Sequence, residues 1–305
     1  MPIYRGHLDK MPTELAAPVN YWLALDDIRV PLNALLGETL RISHVGVIHC
    51  SHCGRVTNKS FSQGYCYPCF RKLAQCDLCI LSPERCHFDA GTCREPDWAQ
   101  SFCMTEHFVY LANSSGVKVG ITRANQMPTR WIDQGASQAL PIARVQTRQQ
   151  AGFVEAALRR HVRDTTDWRA MLKGDPEPAD LAAARDRLFE LCADDLSELT
   201  TRFGIQAIQP LASAAPVAID YPVREYPTKV SAWNLDKTPE VSGRLLGIKG
   251  QYLMLDSGVF NVRKFAARYC PGGWGGGGKT GGGAPCGGVA RWLRQCWFFN
   301  PYAEL

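Results

Sequence analysis

Thirteen cysteines stand among 305 residues, and nine of them fall between Cys50 and Cys103. Cys50-Ser51-His52-Cys53 is followed, after twelve residues, by Cys66-Tyr67-Pro68-Cys69. Each Cys-x-x-Cys turn aims two sulfurs at one point. A hairpin between the turns brings the pairs into a tetrahedron, the arrangement of a zinc ribbon. Buried free thiols are the bland alternative, but this spacing is improbable by chance. The segment is rich in Ser, Gly and Tyr, and it cannot bury much core of its own. A structural zinc would contribute roughly 10–16 kcal/mol of apparent folding free energy to it. His49 and His52 lie beside the first turn as spare donors.

A second set follows at once: Cys76, Cys79, Cys86, Cys93 and Cys103, with His87 and His107 among them. Cys76 and Cys79 form a clear third knuckle, and the expected ligands are Cys76, Cys79, Cys86 and Cys93. Cys93 with Cys103 could close the tetrahedron instead, and His87 or His107 could substitute. Four protein ligands leave no position for water, so one or two structural zinc ions are expected.

The chain around these ligands is 46% hydrophobic and 21% charged, enough apolar content for two or three domains. No apolar run is long enough to span a bilayer, and the first residues lack a secretory signal. A cytoplasmic protein with free thiols and no membrane partner is the expectation. The formal charge of +5 hints at an acidic partner. Two tetrathiolate zinc sites, each about −2, would reduce it to about +1. Net charge therefore does not argue for nucleic acid.

The elements that must position such sites divide the chain into six parts. Residues 1–48 hold short alternating strands, as at Tyr21-Trp22-Leu23-Ala24-Leu25 and Leu40-Arg41-Ile42, with a further one at Val45-Gly46-Val47-Ile48. Residues 49–107 are the cysteine segment and 108–209 a mixed α/β region. Residues 210–227, rich in Ala and Pro, read as a linker. Residues 228–269 show hairpin strands around Asp256-Ser257-Gly258, and 270–305 form a Gly-rich low-complexity tail. Neither end has strands enough for a sheet, so one small β-barrel or sandwich assembled from both ends is expected. The fold class is α+β and multidomain. The clearest helix spans 178–203, with Cys192 on its apolar stripe. Gly275 to Thr280 looks like a phosphate loop but lacks the flanking strand and helix.

Within 108–209, a strand Phe108-Val109-Tyr110-Leu111-Ala112 turns at Asn113-Ser114-Ser115-Gly116 into Val117-Lys118-Val119-Gly120-Ile121-Thr122. A short helix carries Arg130, and a later one, 151–163, carries Glu155. This order resembles the GIY-YIG endonuclease superfamily, through the tyrosine of the first strand, the glycine of the second, Arg130 and Glu155. The sequence also resembles, over nearly its whole length, a bacterial family called domain of unknown function 2797. Ser60-Phe61-Ser62-Gln63-Gly64-Tyr65-Cys66, Lys118-Val119-Gly120-Ile121-Thr122-Arg123, Arg130-Trp131-Ile132-Asp133-Gln134-Gly135-Ala136 and Gly247-Ile248-Lys249-Gly250-Gln251-Tyr252 carry that likeness.

The nuclease resemblance implies phosphodiester hydrolysis with one Mg²⁺ or Mn²⁺ held by Glu155. It implies charge stabilisation by Arg130, and water activation by Tyr110 with Lys118 or Arg123 as the neighbouring cation, unless these two simply bind phosphates. Arg123, Trp131 and Arg159 would bind nucleic acid, with Arg148, Arg160, Lys249 and Tyr252 as further basic and aromatic residues. The sequence departs from that pattern at Lys118, where a second tyrosine is usual, and lacks a histidine after Arg130. Each residue also has a structural reading. Tyr110 can pack under a helix, Arg130 can be a surface cation, and Glu155 can pair with Arg159 at i,i+4. The expectation is a zinc-binding protein acting on nucleic acid as a metal-dependent nuclease. The alternatives are a non-catalytic binder with a degenerate nuclease fold and a zinc-stabilised protein-interaction module.

Overall fold

The computed structural model describes residues 4–270. The low-complexity tail from 271 on lies outside the described residues, as do Cys286 and Cys296. The fold is mixed α/β with several sheets, none of them closed.

A five-stranded antiparallel sheet occupies the middle of the molecule. His107–Asn113 sits between Val117–Arg123 and Gln138–Val145, and Ile208–Pro210 and Val217–Ala218 add to the outer edge of Gln138–Val145. Strand alternation gives this sheet two different faces. Val109 and Leu111, with Val119, Leu140 and Ile142, pack against Ala151, Val154 and Leu158 of the helix Arg148–Leu158 and against Leu181 and Leu188. Tyr110 and Ala112 point the other way. They join Trp131 and Ile132 in a core shared with Leu23 and Leu40 from one chain end and Leu253 and Phe260 from the other.

The two ends of the chain do pair. Glu240–Lys249 runs antiparallel to Thr39–Ser43 and continues through Tyr252–Leu255 into Gly258–Asn261, and Gly6–His7 pairs with Tyr269–Cys270. The barrel expected from that pairing does not close. The N-terminal strands Thr13–Glu14, Asn20–Leu25 and Ile28–Pro31 form their own three-stranded sheet. They are two to six residues long, and Pro31 ends its edge without an N–H to extend the ladder.

Other readings shift in detail. The helix expected over 178–203 is two helices, Leu181–Leu191 and Ala193–Phe203. The backbone leaves helical geometry at Cys192, with φ −111° and ψ 18°, and the thiol there is fully buried. The Ala- and Pro-rich stretch read as a linker is packed along the central sheet. It buries Ile219 and Tyr221, whose hydroxyl donates to the Ala136 carbonyl at 2.9 Å. Val45 to Val47 form no strand, whereas Ile28–Pro31 does. Among the described residues no helix is long and apolar enough to cross a membrane.

Candidate active cleft and metal centre

Cys50, Cys53, Cys66 and Cys69 bring their sulfurs within 4.8 Å of one another. The first pair is set by the turn after Ile48–His49, where the Cys50 carbonyl accepts from Gly54 N–H at 2.9 Å. Cys66 caps the helix Tyr67–Lys72, and Cys69 lies in its first turn with Pro68 between them. Cys53 and Cys66 approach to 3.8 Å, the edge expected of a tetrahedron with zinc–sulfur bonds near ~2.3 Å. Four converging thiols are the donor set that zinc takes in closed structural sites, and this group can hold it.

The second set is arranged differently from the expected Cys76, Cys79, Cys86 and Cys93. Cys76 is half-buried and hydrogen-bonds to Ser62, with Cys50 as an electrostatic neighbour. It therefore faces the first cluster. Asp77, Cys79 and His87 bring ligand atoms within 4.8 Å of one another. His107 is buried, and its Nδ1 lies 2.7 Å from the Thr105 carbonyl, apart from all of these thiols' common cavity.

A cleft of about 520 Å³ opens beside the hairpin. Lys118, Gly120 and Thr122 of one strand line it, together with Arg130, Glu155 and Arg148. Three proposed site residues, Lys118, Arg130 and Glu155, thus meet on one surface, and Arg123 joins them with its guanidinium 4.0 Å from the Phe102 ring centre. The helix bearing Glu155 starts at a capping box. Thr147 Oγ1 accepts from Gln150 N–H at 3.3 Å, and Gln150 Oε1 accepts from Thr147 N–H at 3.0 Å.

Tyr110 lies buried just beneath this surface. It is fully buried opposite Gly120, in register across the hairpin, and its hydroxyl donates to Gln134 Oε1 at 2.9 Å. Gly120 is what makes room for the ring, because a Cβ there would stand 2.7 Å from its Cζ and hydroxyl oxygen. Burial raises the phenol above its ordinary value, against the opposing pull of Arg130. Any water-activating role of Tyr110 would act from beneath the cleft surface, where its hydroxyl lies close to Arg130.

Trp131 is likewise in the core, edge-on to Tyr110 at 6.1 Å, and offers no stacking face to a base. Arg159 pairs with Glu84 at 3.6 Å outside the cleft, not with Glu155. Lys249 is buried against Asp175 at 2.6 Å, and Tyr252 stacks on Trp168.

The remaining charges of the cleft were not visible in the sequence. Lys10 comes from the N-terminal segment and Arg263 from the last turn, while Asp164 follows Arg163, which bridges to Lys118. Six cations and three carboxylates, Asp133, Glu155 and Asp164, therefore line the cleft, with Lys10 and Asp133 paired at 2.6 Å. Burial, reinforced by Arg130, draws the Lys118 ammonium down to about 8. Glu155 is raised by burial and by Asp164, against Arg148, Lys118 and Arg159.

The chain belongs to the family described as protein of unknown function (DUF2797), whose model matches residues 37–269. No curated protein and no solved structure matches it.

Proposed function

We propose that the cleft hydrolyses phosphodiester bonds of nucleic acid, with the Cys50–Cys53–Cys66–Cys69 zinc site as structural support. The observation that carries this reading is the meeting of Lys118, Arg130 and Glu155 on a cleft with an excess of cations. Such a surface suits a phosphate backbone, and the exposed Leu81 and the Phe102 ring at its rim suit bases or sugars.

Glu155 and Asp164 are neighbouring oxygen donors, which fit Mg²⁺ or Mn²⁺. Such an ion, when bound, supplies Lewis-acid stabilisation of phosphate charge. Lys118, in its neutral form, accepts a proton from the water whose oxygen bonds to phosphorus, while the P–O bond opposite breaks and its leaving oxygen is protonated by solvent. A pKa near 8 leaves a usable neutral fraction at physiological pH. Arg130 and Arg148 hold the non-bridging oxygens and stabilise the charge that builds on them. Tyr110 acts at a remove: its hydrogen bond to Gln134 fixes the helix end from which Arg130 projects.

The test is Mg²⁺-dependent cleavage of single-stranded, duplex and structured nucleic acids. Glu155→Ala abolishes cleavage and leaves binding intact or slightly tighter, because a negative charge near phosphate is removed. Arg130→Ala lowers both and reduces the salt slope of binding by about one unit. A second reading, a non-catalytic binder, is favoured by the burial of Tyr110. It is the outcome if the wild type binds in a salt-sensitive way but cleaves nothing with any divalent ion. Absence of both binding and cleavage at low salt defeats both readings and leaves the protein-interaction module.

A further inference from the structure

Between residues 75 and 98 the only buried residue is Pro83. The segment contains no strand, and until the helix Pro96–Phe102 begins it holds only three-residue turns such as Leu78–Ile80 and Pro83–Arg85. A stretch this poor in buried apolar area needs another source of stability. Three of its thiols and Cys103 beyond it share one cavity, although no three of these four sulfurs stand within 4.8 Å of one another as the first cluster does. Cys79 from the first turn, Cys86 at the end of the second, Cys93 from the loop and Cys103 at the end of the helix line one cavity of about 10 Å³.

We propose that Cys79, Cys86, Cys93 and Cys103 form a second metal centre that holds a single zinc ion. The set is Cys-x6-Cys-x6-Cys-x9-Cys, with no Cys-x-x-Cys turn in it. The cavity is on the scale of one ion. Its thiols are the donors zinc prefers. The nearby trio of Asp77, Cys79 and His87 is the competing ligand set, but its other two members are already engaged. Asp77 Oδ1 accepts from Leu78 N–H at 2.6 Å, and its Oδ2 meets Arg94 Nε at 2.7 Å. His87 Nδ1 lies 2.8 Å from Thr92 Oγ1, and its Nε2 faces Asp77 at 3.5 Å. These bonds brace the loop around the thiols.

The centre would also fasten one wall of the cleft. Gln149 Nε2 donates to the Cys86 carbonyl at 2.9 Å, Arg148 N–H to the Cys103 carbonyl at 2.8 Å, and the Arg148 guanidinium to the Ile80 carbonyl at 2.8 Å. The backbone of the ligand-bearing segment thus carries the start of the helix that presents Glu155.

The experiment is zinc quantification on full-length protein purified under reducing conditions. Wild type is expected to hold two equivalents, and Cys86→Ser and Cys93→Ser one each. Cys76→Ser and His87→Ala are expected to keep two. Titration of the wild type with a thiol-binding mercurial, read with a zinc dye, covers the case in which a variant does not fold. It should release two zinc ions, each on loss of four thiolates. One equivalent in the wild type overturns the proposal, as does an unchanged content in both Cys86→Ser and Cys93→Ser. Loss of zinc in His87→Ala with retention in Cys86→Ser moves the metal to the Asp77 trio and overturns it too. Recovery of the four thiols as two disulfides under these conditions has the same consequence.

Discussion

Two buried bases give the molecule distinct responses to pH. Lys118 is drawn down to about 8 by burial and by Arg130, so its amine gains a lone pair as pH rises through that value. Cleavage by the wild type should therefore rise about tenfold per unit below pH 8 and level off above it. Lys118→Arg keeps the charge but cannot lose its proton, and should be inactive across the range. An unchanged pH–rate profile in that variant removes Lys118 from the chemistry. His107 behaves in the opposite regime. Burial lowers its imidazole from 6.5 to about 4. Between those values the unfolded chain takes up a proton that the folded chain refuses, so stability falls on acidification through this window. Thermal melting at stepped pH should show that fall, and His107→Gln should flatten it. Residue-level chemistry was partly legible. Cys50, Cys53, Cys66 and Cys69 announce themselves because a tetrahedral site imposes short local spacing. Lys118, Arg130 and Glu155 could be named only through the order of elements. Asp164 and Arg263 have no local pattern, since the cleft collects them from distant turns.

At the scale of elements, the hairpin of His107–Asn113 and Val117–Arg123 depends on one contact across its register. Gly120→Ala places a methyl group 2.7 Å from the Tyr110 ring in a space with no room to yield. The expected loss is about 1–3 kcal/mol, measured by denaturant unfolding. Tyr110→Leu in the same chain should restore part of it, whereas a loss due only to glycine's backbone freedom would be indifferent to residue 110. The helix bearing Glu155 was expected from 151 but begins at Arg148. Its signal, Thr147 followed three residues later by Gln150, was present in the sequence. The apolar stripe alone fixes the face of a helix and not its first turn. Conversely, apolar periodicity ran unbroken through 178–203, although the chain turns at Cys192 to wrap two helices against the same sheet face. Periodicity reports which side is buried and is blind to a bend that keeps that side buried.

For the molecule as a whole, the open sheets carry the apolar core, and the four-cysteine cluster lies in a segment with little core of its own. The segment around Cys50, Cys53, Cys66 and Cys69 joins the rest at its start, where His49 N–H donates to the Ala267 carbonyl at 3.1 Å and Ile48 bridges to Arg268. A thiolate-specific chelator should unfold this region first, seen as loss of amide protection there while the strands around Leu253 and Phe260 stay protected. Uniform loss of protection would show instead that metal and core form one cooperative unit. The pairing of the two ends was legible because each end alone had too few strands. The failure of the barrel to close was not, because closure depends on strand length and tilt and not on pattern.

That pairing has a consequence for the order of events during synthesis. The cleft takes Lys10 from near the start of the chain and Arg263 from near its end, and Thr39–Ser43 waits for Glu240–Lys249 to complete its sheet. A nascent chain therefore carries its four-cysteine cluster long before it has the last wall of the cleft. Until about the 263rd residue emerges, the cationic surface is incomplete and an apolar sheet face from residues 20–42 stands uncovered. The cleft is thus closed only after the strand Glu240–Lys249 and Arg263 have both emerged.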